Sequence, residues 1–590
     1  MQAVDFTTLS AAVVELKDNW LPARIEQIRQ DDYQTIRLLL KTLGGQRWLL
    51  ASCHPQAARL HFVNSGGEAA RSRTTRFAFA STLHQHLVGQ VLVRCEQPAW
   101  ERVVQLGFAR RPEEPPQVQL YVEVMGKYSN IVLCDQQGQI LAVAHSVSTS
   151  QSRVRPVQLG EIYRPPPPLT GPAPSRSESF LQWRSRLEIV PKPVGPLLVQ
   201  TYRSVSQVLA SQLLTQAKLG TQIRTDELSE ADWQAIWQLW QQWLTCLEEN
   251  RYQPGWSGSG YTVLGWNLSE AVPSLHLLLE HYYTEQLQAG LLNAKRSRLK
   301  QALKVALARA VKREHKQEQM IVQAGEVERY KQVADLLMAH LNQTVPGARH
   351  IQLADFETGC PVRIDLDPTK DLVGNAQAYY RRHRKAKRTR QSVEPLLAQT
   401  REEIAYLEQV AATVELLSEH SDLGALLEVE TELVQQEYLD AKEKPAATAG
   451  PVPFEQFALA NGSVVLVGRN NRQNEQLTFE VAAPTDLWFH AQEIPGSHVV
   501  LKVPAGERAE AEAVQLAANL AAYYSRARHS AHVPVIYTER RHVRKLRGAR
   551  PGLVTFRDEK VIWAAPDQLP PQAPEPEVDA LRHPPSQKNY

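Results

Sequence analysis

Two long stretches with few helix breakers constrain the fold more than any other feature of the sequence. Residues 270–345 and 374–440 are rich in Leu, Ala, Gln, Lys and Arg, and the breakers are concentrated in the short segment between them. This pattern predicts two long helices that return on each other as an antiparallel coiled coil with a small tip. At about 1.5 Å per residue, 70 helical residues would reach roughly 100 Å. Such a reach suits a protein that bridges distant points on a large assembly.

The chain is also too long for one folded domain. Its 590 residues exceed the size at which a single hydrophobic core keeps growing, so three or more folded parts are expected. We therefore predict a multidomain α+β protein. Its predicted parts are an N-terminal α+β domain at 1–168, a helical region at 169–265, the coiled-coil arm at 266–442 with its tip at about 346–372, a C-terminal α+β domain at 454–566 and a disordered tail at 567–590.

Alternating apolar and polar residues predict the strands of the two α+β domains. In the first domain a helix over residues 4–17 precedes strands that continue to about residue 146, with a hairpin at QQGQ. The linker EKPAATAGPVP precedes the second domain. There we predict strands around 463–467, 476–482 and 498–503, a helix over AEAEAVQLAANLAAYYSRARHS, and strands at VPVIYT, GLVTF and VIWAA.

Four tryptophans share one helical face in the 169–265 region. They are Trp233, Trp237, Trp240 and Trp243. A stripe of this kind could line a ligand site, but the packing of one helix face into a core is far commoner. We interpret the stripe as core.

The overall charge excludes a polycation. The formal net charge is only +3, from 66 basic and 63 acidic residues, so any affinity for nucleic acid must come from local patches.

The five cysteines are scattered and contain no CxxC pair, which argues against structural zinc and a disulfide framework. No apolar run of about 18 residues occurs, and the first 20 residues lack the pattern of a signal peptide. We expect a cytoplasmic protein.

Two basic runs are candidate contacts with a phosphate backbone. In RRHRKAKRTR, at 381–390, seven of ten residues are Lys or Arg and none is acidic, and RRHVRKLRGAR at 540–550 also lacks an acid. A solvated helix face is the alternative for the first run, but mutually repelling cations favour an anionic partner. Two separated patches indicate a large polyanion. The candidate residues are Arg381, Arg382, Arg384, Lys385, Lys387, Arg388, Arg544, Lys545 and Arg547.

The segment GRNNRQNEQLTFEVAAPTDLWFHAQEIPGSHVVL, at 468–501, is the strongest candidate for an RNA contact in the C-terminal domain. Its short polar side chains suit turns and hydrogen bonds to sugar and phosphate oxygens, and its Trp-Phe pair offers a ring for base stacking. A hairpin loop with a buried Trp is the alternative. The candidates are Asn470, Asn471, Arg472, Gln473, Asn474, Trp488, His490 and His498.

Metal binding and catalysis are poorer interpretations of the same segment. His490 and His498 could bind a metal with Asp486, but their spacing matches no compact ligand motif and no Cys assists. Ser497 lies next to His498, and neighbouring strand residues point to opposite faces, so the two do not form a nucleophile and base. No cofactor is implied, and the chain lacks a GxxxxGK[ST] phosphate loop.

In the N-terminal domain, two short motifs carry candidate residues that residue type alone would not single out. EQPAWERVV places Glu101 and Arg102 on a predicted strand, and MGKYSN places Lys127, Ser129 and Asn130 in a predicted turn.

Several of these motifs together resemble one known family. GRNNRQNEQLTFEVAAPTDLWFHAQEIPGSHVVL and YTERRHVRKLRGARPGLVTF resemble the RNA-associated module of the NFACT family, and VELKDNWLPARIEQI, EQPAWERVV, MGKYSNIVL and GEIYRPPP resemble its N-terminal domain in the same order. NAQAYYRRHRKAKR resembles the start of the family's second coiled-coil helix. The resemblance covers residues 1–566.

The resemblance implies a role in translation quality control. Members of the family bind large ribosomal subunits obstructed by peptidyl-tRNA and recruit tRNA. In bacteria they use alanyl-tRNA to add C-terminal alanine tails that mark stalled chains for proteolysis. The implied partners are rRNA and proteins of the large subunit, tRNA and peptidyl-tRNA, and the protein is expected to act there as a monomer. Bond formation belongs to the ribosome, so the protein is not expected to be an enzyme.

The family pattern assigns tRNA recruitment to the N-terminal domain together with a helix-hairpin-helix region, here 169–265. Asp5 matches an acidic position of the family, and Glu101-Arg102 matches an Asp-Arg pair that tailing requires. Glu in place of Asp moves the carboxylate out by one methylene, so tailing is less firmly implied than subunit binding. Ser204 stands where the family's hairpin has Gly.

Three other functions fit parts of the sequence. One is a factor that binds the large subunit and tRNA without tailing activity. Another is a DNA glycosylase-like protein, since the family's N-terminal half is reminiscent of formamidopyrimidine glycosylases; this chain begins Met1-Gln2-Ala3 and lacks their N-terminal Pro nucleophile. The last is a fibronectin-binding adhesin, against which the apparent lack of a signal peptide or anchor counts.

Overall fold

The computed structural model describes two compact units, residues 1–288 and 289–590. The described residues are 1–64, 77–167, 170–258, 260–324, 327–343, 347–417, 422–440, 453–459, 462–503, 509–545 and 550–569. The predicted linker at 443–453 and the predicted disordered tail fall almost entirely outside them.

A helix and an antiparallel sheet build the first part of the first unit. The elements are α1 (Phe6–Trp20), β1 (Ala23–Gln30), β2 (Thr35–Thr42), β3 (Gly45–Ser52), β4 (Arg59–Val63), α2 (Ala78–Leu87), β5 (Val91–Glu96), β6 (Val103–Ala109), β7 (Val118–Glu123), β8 (Asn130–Asp135) and β9 (Ile140–Val143). The strands pair in the order β4-β3-β2-β1-β5-β6-β7-β8-β9. Leu9, Val13 and Leu16 of α1 share one face and are buried in the core of the sheet. The predicted first helix and the hairpin at QQGQ, between β8 and β9, are both confirmed.

The helical region of the first unit is organised around tryptophan. It contains α3 (Phe180–Glu188), α4 (Val194–Thr201), α5 (Gln207–Gln216) and α6 (Glu230–Glu249), then β10 (Gly255–Ser257), β11 (Gly260–Thr262) and β12 (Glu270–Ala271). Trp233, Trp240 and Trp243 of α6 are buried, and Trp237 lies 5.3 Å from the ring of Trp183. The interpretation of the tryptophan stripe as core is confirmed.

The arm consists of long packed helices, but they are interrupted. Its elements are α7 (Leu275–Gln323), α8 (Val327–Ala339), the hairpin of β13 (His350–Ala354) and β14 (Pro361–Asp365), α9 (Leu372–Leu416) and α10 (Leu423–Gln435). The predicted long packed helices are confirmed, and the described residues divide them into four helical segments. The 49 residues of α7 correspond to roughly 74 Å, and α10 packs with α7 and α9 in one apolar cluster.

The C-terminal module is a six-stranded antiparallel sheet with a helix on one face. It comprises β15 (Glu455–Ala458), β16 (Val464–Val467), α11 (Asn471–Gln476), a π-helical turn (Leu477–Val481), β17 (Leu487–Ala491), β18 (Val499–Lys502), α12 (Ala511–Tyr523), β19 (Val533–Glu539), a 3₁₀ turn (Arg540–His542), β20 (Arg544–Lys545), β21 (Val554–Thr555) and β22 (Lys560–Ala564). The sheet order is β15-β16-β18-β17-β19-β22, and β20 pairs with β21.

One strand predicted for this module is wrong. Residues 476–482 alternate like a strand, but they form the end of α11 and the π-helical turn. Asn470 caps the start of α11 by accepting a hydrogen bond from the backbone N–H of Gln473. Leu477 is then buried against Trp488 on the second face of the sheet. Tertiary packing therefore overrides the local pattern.

Candidate nucleic-acid interface

Glu101 and Arg102 lie in a turn that precedes β6, so the expectation that they belong to a strand is wrong. Trp100 has a φ of 62°, in the left-handed region that non-glycine residues seldom occupy, and it turns the chain just before the pair. The side chain of Gln97 donates a hydrogen bond of 2.9 Å to the carbonyl of Glu101. This loop holds both side chains partly exposed at one end of the sheet.

The Lys127 turn lies beside this pair. The N–H of Val124, at the end of β7, donates to the carbonyl of Arg102 at 2.8 Å, which brings the turn between β7 and β8 next to Arg102. Lys127 is exposed, with its Nζ 5.0 Å from the ring centre of the exposed Tyr128. The structure therefore brings two of the predicted motifs together.

Ser129 and Asn130 are buried, and they shape the turn from within. The hydroxyl of Ser129 accepts a hydrogen bond from the N–H of Met125 at 2.8 Å. The Asn130 amide donates to the carbonyl of His145 at 2.7 Å and accepts from the N–H of the same residue at 3.0 Å. Direct contact of these two side chains with RNA is not favoured, because their polar atoms are already used inside the protein.

Asp5 is buried as well, and it joins two helices. Its Oδ1 accepts from the N–H of Thr8 at 2.9 Å, which caps α1. Its Oδ2 accepts from the hydroxyl of Ser206 at 2.6 Å, and Ser206 itself caps α5 by accepting from the N–H of Leu209. Both carboxylate oxygens accept hydrogen bonds inside the protein, which favours a positioning role, and contact of Asp5 with tRNA stays a prediction.

The hairpin between α4 and α5 adds residues that the sequence reasoning did not select. Ser204 has a φ of 58°, the conformation for which the family's Gly is suited, and its hydroxyl donates to the carbonyl of Trp100. Arg203, next to it, is partly exposed and donates to the carbonyl of Gly171 at 2.6 Å. The backbone conformation expected at the glycine position is thus present without glycine.

The charges at this end of the sheet are mixed. Partial burial raises the pKa of Glu101, and the nearby guanidiniums of Arg203 and Arg102 oppose that shift. Arg102, Lys127 and Arg203 provide cations suited to phosphate, while Glu101 provides a partly exposed carboxylate. Arg203 was missed because it lies about 100 positions away in the chain, and only the fold brings it near Glu101.

The first basic run lies on α9, on an exposed helical surface. Arg381, Arg382, Arg384, Lys385, Lys387 and Arg388 are all exposed. Within the part of the chain that the structure describes, none of these six side chains forms an ion pair. The guanidinium of Arg382 lies 5.1 Å from the ring centre of Tyr379. This surface has the free cations that a phosphate backbone requires.

In the C-terminal module, most of the polar cluster at 470–474 is buried instead of facing a ligand. Asn470 and Gln473 donate side-chain hydrogen bonds to Glu428 of α10, at 2.7 and 3.1 Å. Asn471 donates to Glu432 at 3.2 Å, and the amide oxygen of Asn474 accepts from the N–H of His498 at 3.0 Å.

Contact of these four buried side chains with RNA stays a prediction that the structure does not favour, because α10 binds three of them and His498 binds Asn474. Arg472 is more exposed and lines a cavity of about 730 Å³ between α10 and α11. The sequence contains one signal for this contact with α10: Glu428 and Glu432 are spaced four residues apart, which places both carboxylates on one helix face.

Trp488, His490 and His498 form a group of rings. The burial of Trp488 does not favour base stacking by this ring, which stays a prediction. Trp488 is buried and lies parallel to His490, with ring centres 5.8 Å apart. Burial lowers the pKa of His490, and it lowers the pKa of His498 to about 3. Both imidazoles are therefore neutral near pH 7. His498 is held by Thr478 at 2.8 Å, which favours a structural role.

The second basic run begins on the 3₁₀ turn and continues into β20. Arg544 and Lys545 are exposed, and Lys545 pairs with Glu475 of α11. Arg550 stacks on the rings of Tyr406 and Tyr438, at 4.8 and 5.5 Å. Arg547 lies outside the described residues.

Comparison with known sequences decides the family. The profile of the NFACT N-terminal and middle domains matches residues 5–449, and that of the NFACT protein RNA binding domain matches residues 454–558. The chain belongs to the NFACT family.

Curated relatives of this NFACT protein match it along nearly its whole length. The Rqc2 homolog RqcH of Streptococcus suis is 29% identical over 564 residues, which cover 94% of this chain and 96% of the relative. The protein of the same name from Bacillus subtilis is 29% identical over 584 residues, with the same coverage.

Two of the solved structures that are similar to this NFACT protein are parts of one streptococcal protein. The C-terminal part of the fibronectin/fibrinogen-binding protein from Streptococcus suis is 28% identical, with a TM-score of 0.37, and covers 47% of this chain and 95% of that one. Its N-terminal part is 23% identical, with a TM-score of 0.39, and covers 48% and 99%. Among the described helices of the NFACT protein, none is long and apolar enough to cross a membrane.

Proposed function

We propose that this NFACT protein is a ribosome-associated quality-control factor of the cytoplasm. It binds large ribosomal subunits obstructed by peptidyl-tRNA and recruits tRNA, expected to be alanyl-tRNA. C-terminal alanine tails then mark the stalled chain for degradation. The proposal rests on family membership and on one observation in the structure. The Glu101-Arg102 turn, which matches the family's tailing motif, lies beside the exposed Lys127 turn and the α4–α5 hairpin.

The residues at this end of the sheet are suited to holding tRNA. Arg102, Lys127 and Arg203 offer cations for backbone phosphates, and a carboxylate such as that of Glu101 can accept hydrogen bonds from base or ribose donors. Asp5, Ser129 and Asn130 keep the surrounding loops in position through their buried hydrogen bonds. The protein would act as a scaffold, so peptide bonds would form at the ribosome's own peptidyl-transferase centre.

The basic surface of α9 supports the part of the proposal that concerns the large subunit. Six exposed cations within eight residues would neutralise several phosphates of rRNA. Binding through such contacts should weaken steeply as salt is raised. We place the principal rRNA contact on this surface and not on the Asn470–Asn474 segment, which is docked against α10.

A second candidate is a factor that binds the subunit and tRNA but adds no tails. Glu101 favours it, because its longer side chain places the carboxylate about one methylene beyond the position of the family's Asp. The Glu101→Asp variant separates the two candidates. If the native protein adds tails, the variant should do so as well. If only the variant adds tails, the native protein is the binding factor.

The test of tRNA recruitment uses tagged protein purified from its own cells. We expect Glu101→Ala and Arg102→Ala each to lose most of the co-purifying tRNA while retaining large-subunit rRNA. The matched controls are Arg94→Ala and Glu96→Ala, which break an exposed ion pair of 3.3 Å on the neighbouring strand β5. Unchanged tRNA recovery with both Glu101→Ala and Arg102→Ala would refute the assignment.

A further inference from the structure

The second face of the C-terminal sheet carries aromatic side chains that the proposed function does not use. Strand alternation and register place Trp488 and His490 of β17, Ile536 of β19, and Val561 and Trp563 of β22 on this face. His490 is opposite Ile536, and Ile536 is opposite Val561. The other face is packed against α12.

The two ends of this face differ in exposure. At the β16–β18 end the π-helical turn covers it, and Leu477 packs against Trp488. At the β22 end the side chains are open: Trp563 is 65% exposed and Val561 is 52% exposed. Phe556, which is 36% exposed, lies 5.8 Å from the ring centre of Trp488 and extends the aromatic surface. The exposure of a tryptophan on an edge strand is not explained by packing in the core.

Cations border the same surface. Arg557 follows Phe556, and its carbonyl accepts a hydrogen bond of 2.9 Å from Thr538, which lies opposite Trp488. Arg544 is opposite Thr555, the residue before Phe556. Both arginines are exposed, and neither forms an ion pair with any described residue. By contrast, Lys545 is paired with Glu475.

We propose that this surface, formed by Phe556, Val561 and Trp563 and bordered by Arg544 and Arg557, binds an unpaired RNA strand by base stacking. Aromatic rings next to free guanidinium groups are the combination that binds single strands, because the rings stack on bases while the cations hold the phosphates. A protein partner would be expected to bury a wider apolar patch with fewer free charges. The inference rests on the proposed function and names the RNA surface of its C-terminal module.

The strand β22 belongs to the same sheet as the strands of the RNA-binding module. The match to the NFACT protein RNA binding domain ends at residue 558, and β22 begins at Lys560. The strand that carries Trp563 therefore completes the sheet just beyond the matched segment. The Asn470–Asn474 segment, by contrast, is buried against α10. The open face provides the module with an accessible surface of the right chemistry.

The test measures binding of a fluorescein-labelled decamer of uridine to the full chain by fluorescence anisotropy. Salt is raised until purely electrostatic binding, such as that of α9, is suppressed. Trp563→Ala should weaken binding by about tenfold, since loss of one stacked base has an effect of that order. Trp563→Phe retains a ring and should bind within about twofold of the native chain. Leu43→Ala, an exposed apolar change in the first unit, is the matched control and should have no effect.

A second readout locates the RNA directly. A decamer containing 4-thiouridine should crosslink to peptides that include residues 556–563. Native affinity in Trp563→Ala, failure of the native chain to bind the decamer, or crosslinks confined to other segments would each overturn the proposal. Thermal unfolding of the Trp563 variants, expected to be unchanged because the side chain is exposed, guards against misfolding.

Large-subunit binding is measured on the same proteins. If the native chain co-sediments with large subunits and Trp563→Ala binds the decamer normally, the stacking surface is wrong and the proposed function stands. If the native chain does not co-sediment, the proposed function itself fails. If Trp563→Ala loses subunits but binds the decamer normally, the surface contacts a protein and the RNA assignment is overturned.

Discussion

Replacing Asp5 by alanine removes one carboxylate that accepts two hydrogen bonds from two different helices. The loss of the α1 cap typically costs about 1 kcal/mol. The loss of the bond from Ser206, which is donated to a charged acceptor in a buried place, costs a further 1.5–3 kcal/mol or so. The two together correspond to about 2.5–4 kcal/mol for Asp5→Ala. Asp5→Asn keeps a capping oxygen and loses only the charge, so about 1–2 kcal/mol is expected.

Thermal unfolding followed by tryptophan fluorescence measures this effect. Ten of the 12 tryptophans lie in residues 1–288, so the signal reports mainly on the unit that contains Asp5. For a unit of this size, 1 kcal/mol shifts the melting temperature by roughly 2–4 °C. Asp5→Ala should therefore melt about 5–15 °C lower, and Asp5→Asn should fall between Asp5→Ala and the native chain.

The control comes from the other end of the same hydrogen bond. Ser206→Ala removes the donor, so combining it with Asp5→Ala should cost less than the sum of the single changes. Asp5→Ala is also expected to recruit less tRNA, in proportion to its loss of folded protein. If the variant melts like the native chain and yet loses tRNA, Asp5 contacts the RNA directly and the positioning role is refuted.

Three further predictions concern other buried groups. Ser204→Gly relieves the strain of the left-handed backbone but loses the hydrogen bond to Trp100, so its melting temperature should stay near the native value. Ser204→Ala keeps the strain and loses the hydrogen bond, so its free energy of unfolding should fall by about 1–2 kcal/mol. Burial raises the pKa of Glu432, so the stability that this group contributes is present below its unfolded pKa and is lost as pH rises through its folded pKa. Glu432→Gln should therefore match or exceed the native stability at pH 7. A clear loss of stability in urea unfolding would contradict this. Burial lowers the pKa of His498 from 6.5 to about 3, so the free energy of unfolding should fall as pH drops from 6.5 towards 3, by at most about 1.4 kcal/mol per pH unit. A His498→Asn variant should show a flatter dependence of unfolding on pH.

The arm and the sheets could be predicted because their signals are local. Few breakers over 270–345 and 374–440 indicate long helices, and the spacing of Trp233, Trp240 and Trp243 indicates one buried face. The separate helices α8 and α10 were missed. Where each helix ends depends on how the helices pack on each other, and the spacing of apolar residues alone does not predict that packing.

The candidate sites were predicted less well, because long-range contacts determine which polar groups are free. Asn470 and Gln473 have the chemistry of an RNA contact, but Glu428, more than 40 positions earlier in the chain, accepts their hydrogen bonds. The turn at Trp100 is held by Ser204, about 100 residues later. The same fold brings Arg203 to Glu101, and no local pattern could have indicated that.

The RNA that the protein carries in its own cells shows whether it binds the large subunit and tRNA. The tagged chain would be purified at moderate salt and the bound RNA sequenced, with Arg384→Ala/Arg388→Ala on α9 as a binding-deficient comparison. We expect large-subunit rRNA together with enrichment of one tRNA family, and a loss of rRNA from the double variant. Absence of both rRNA and tRNA from the native protein would contradict it.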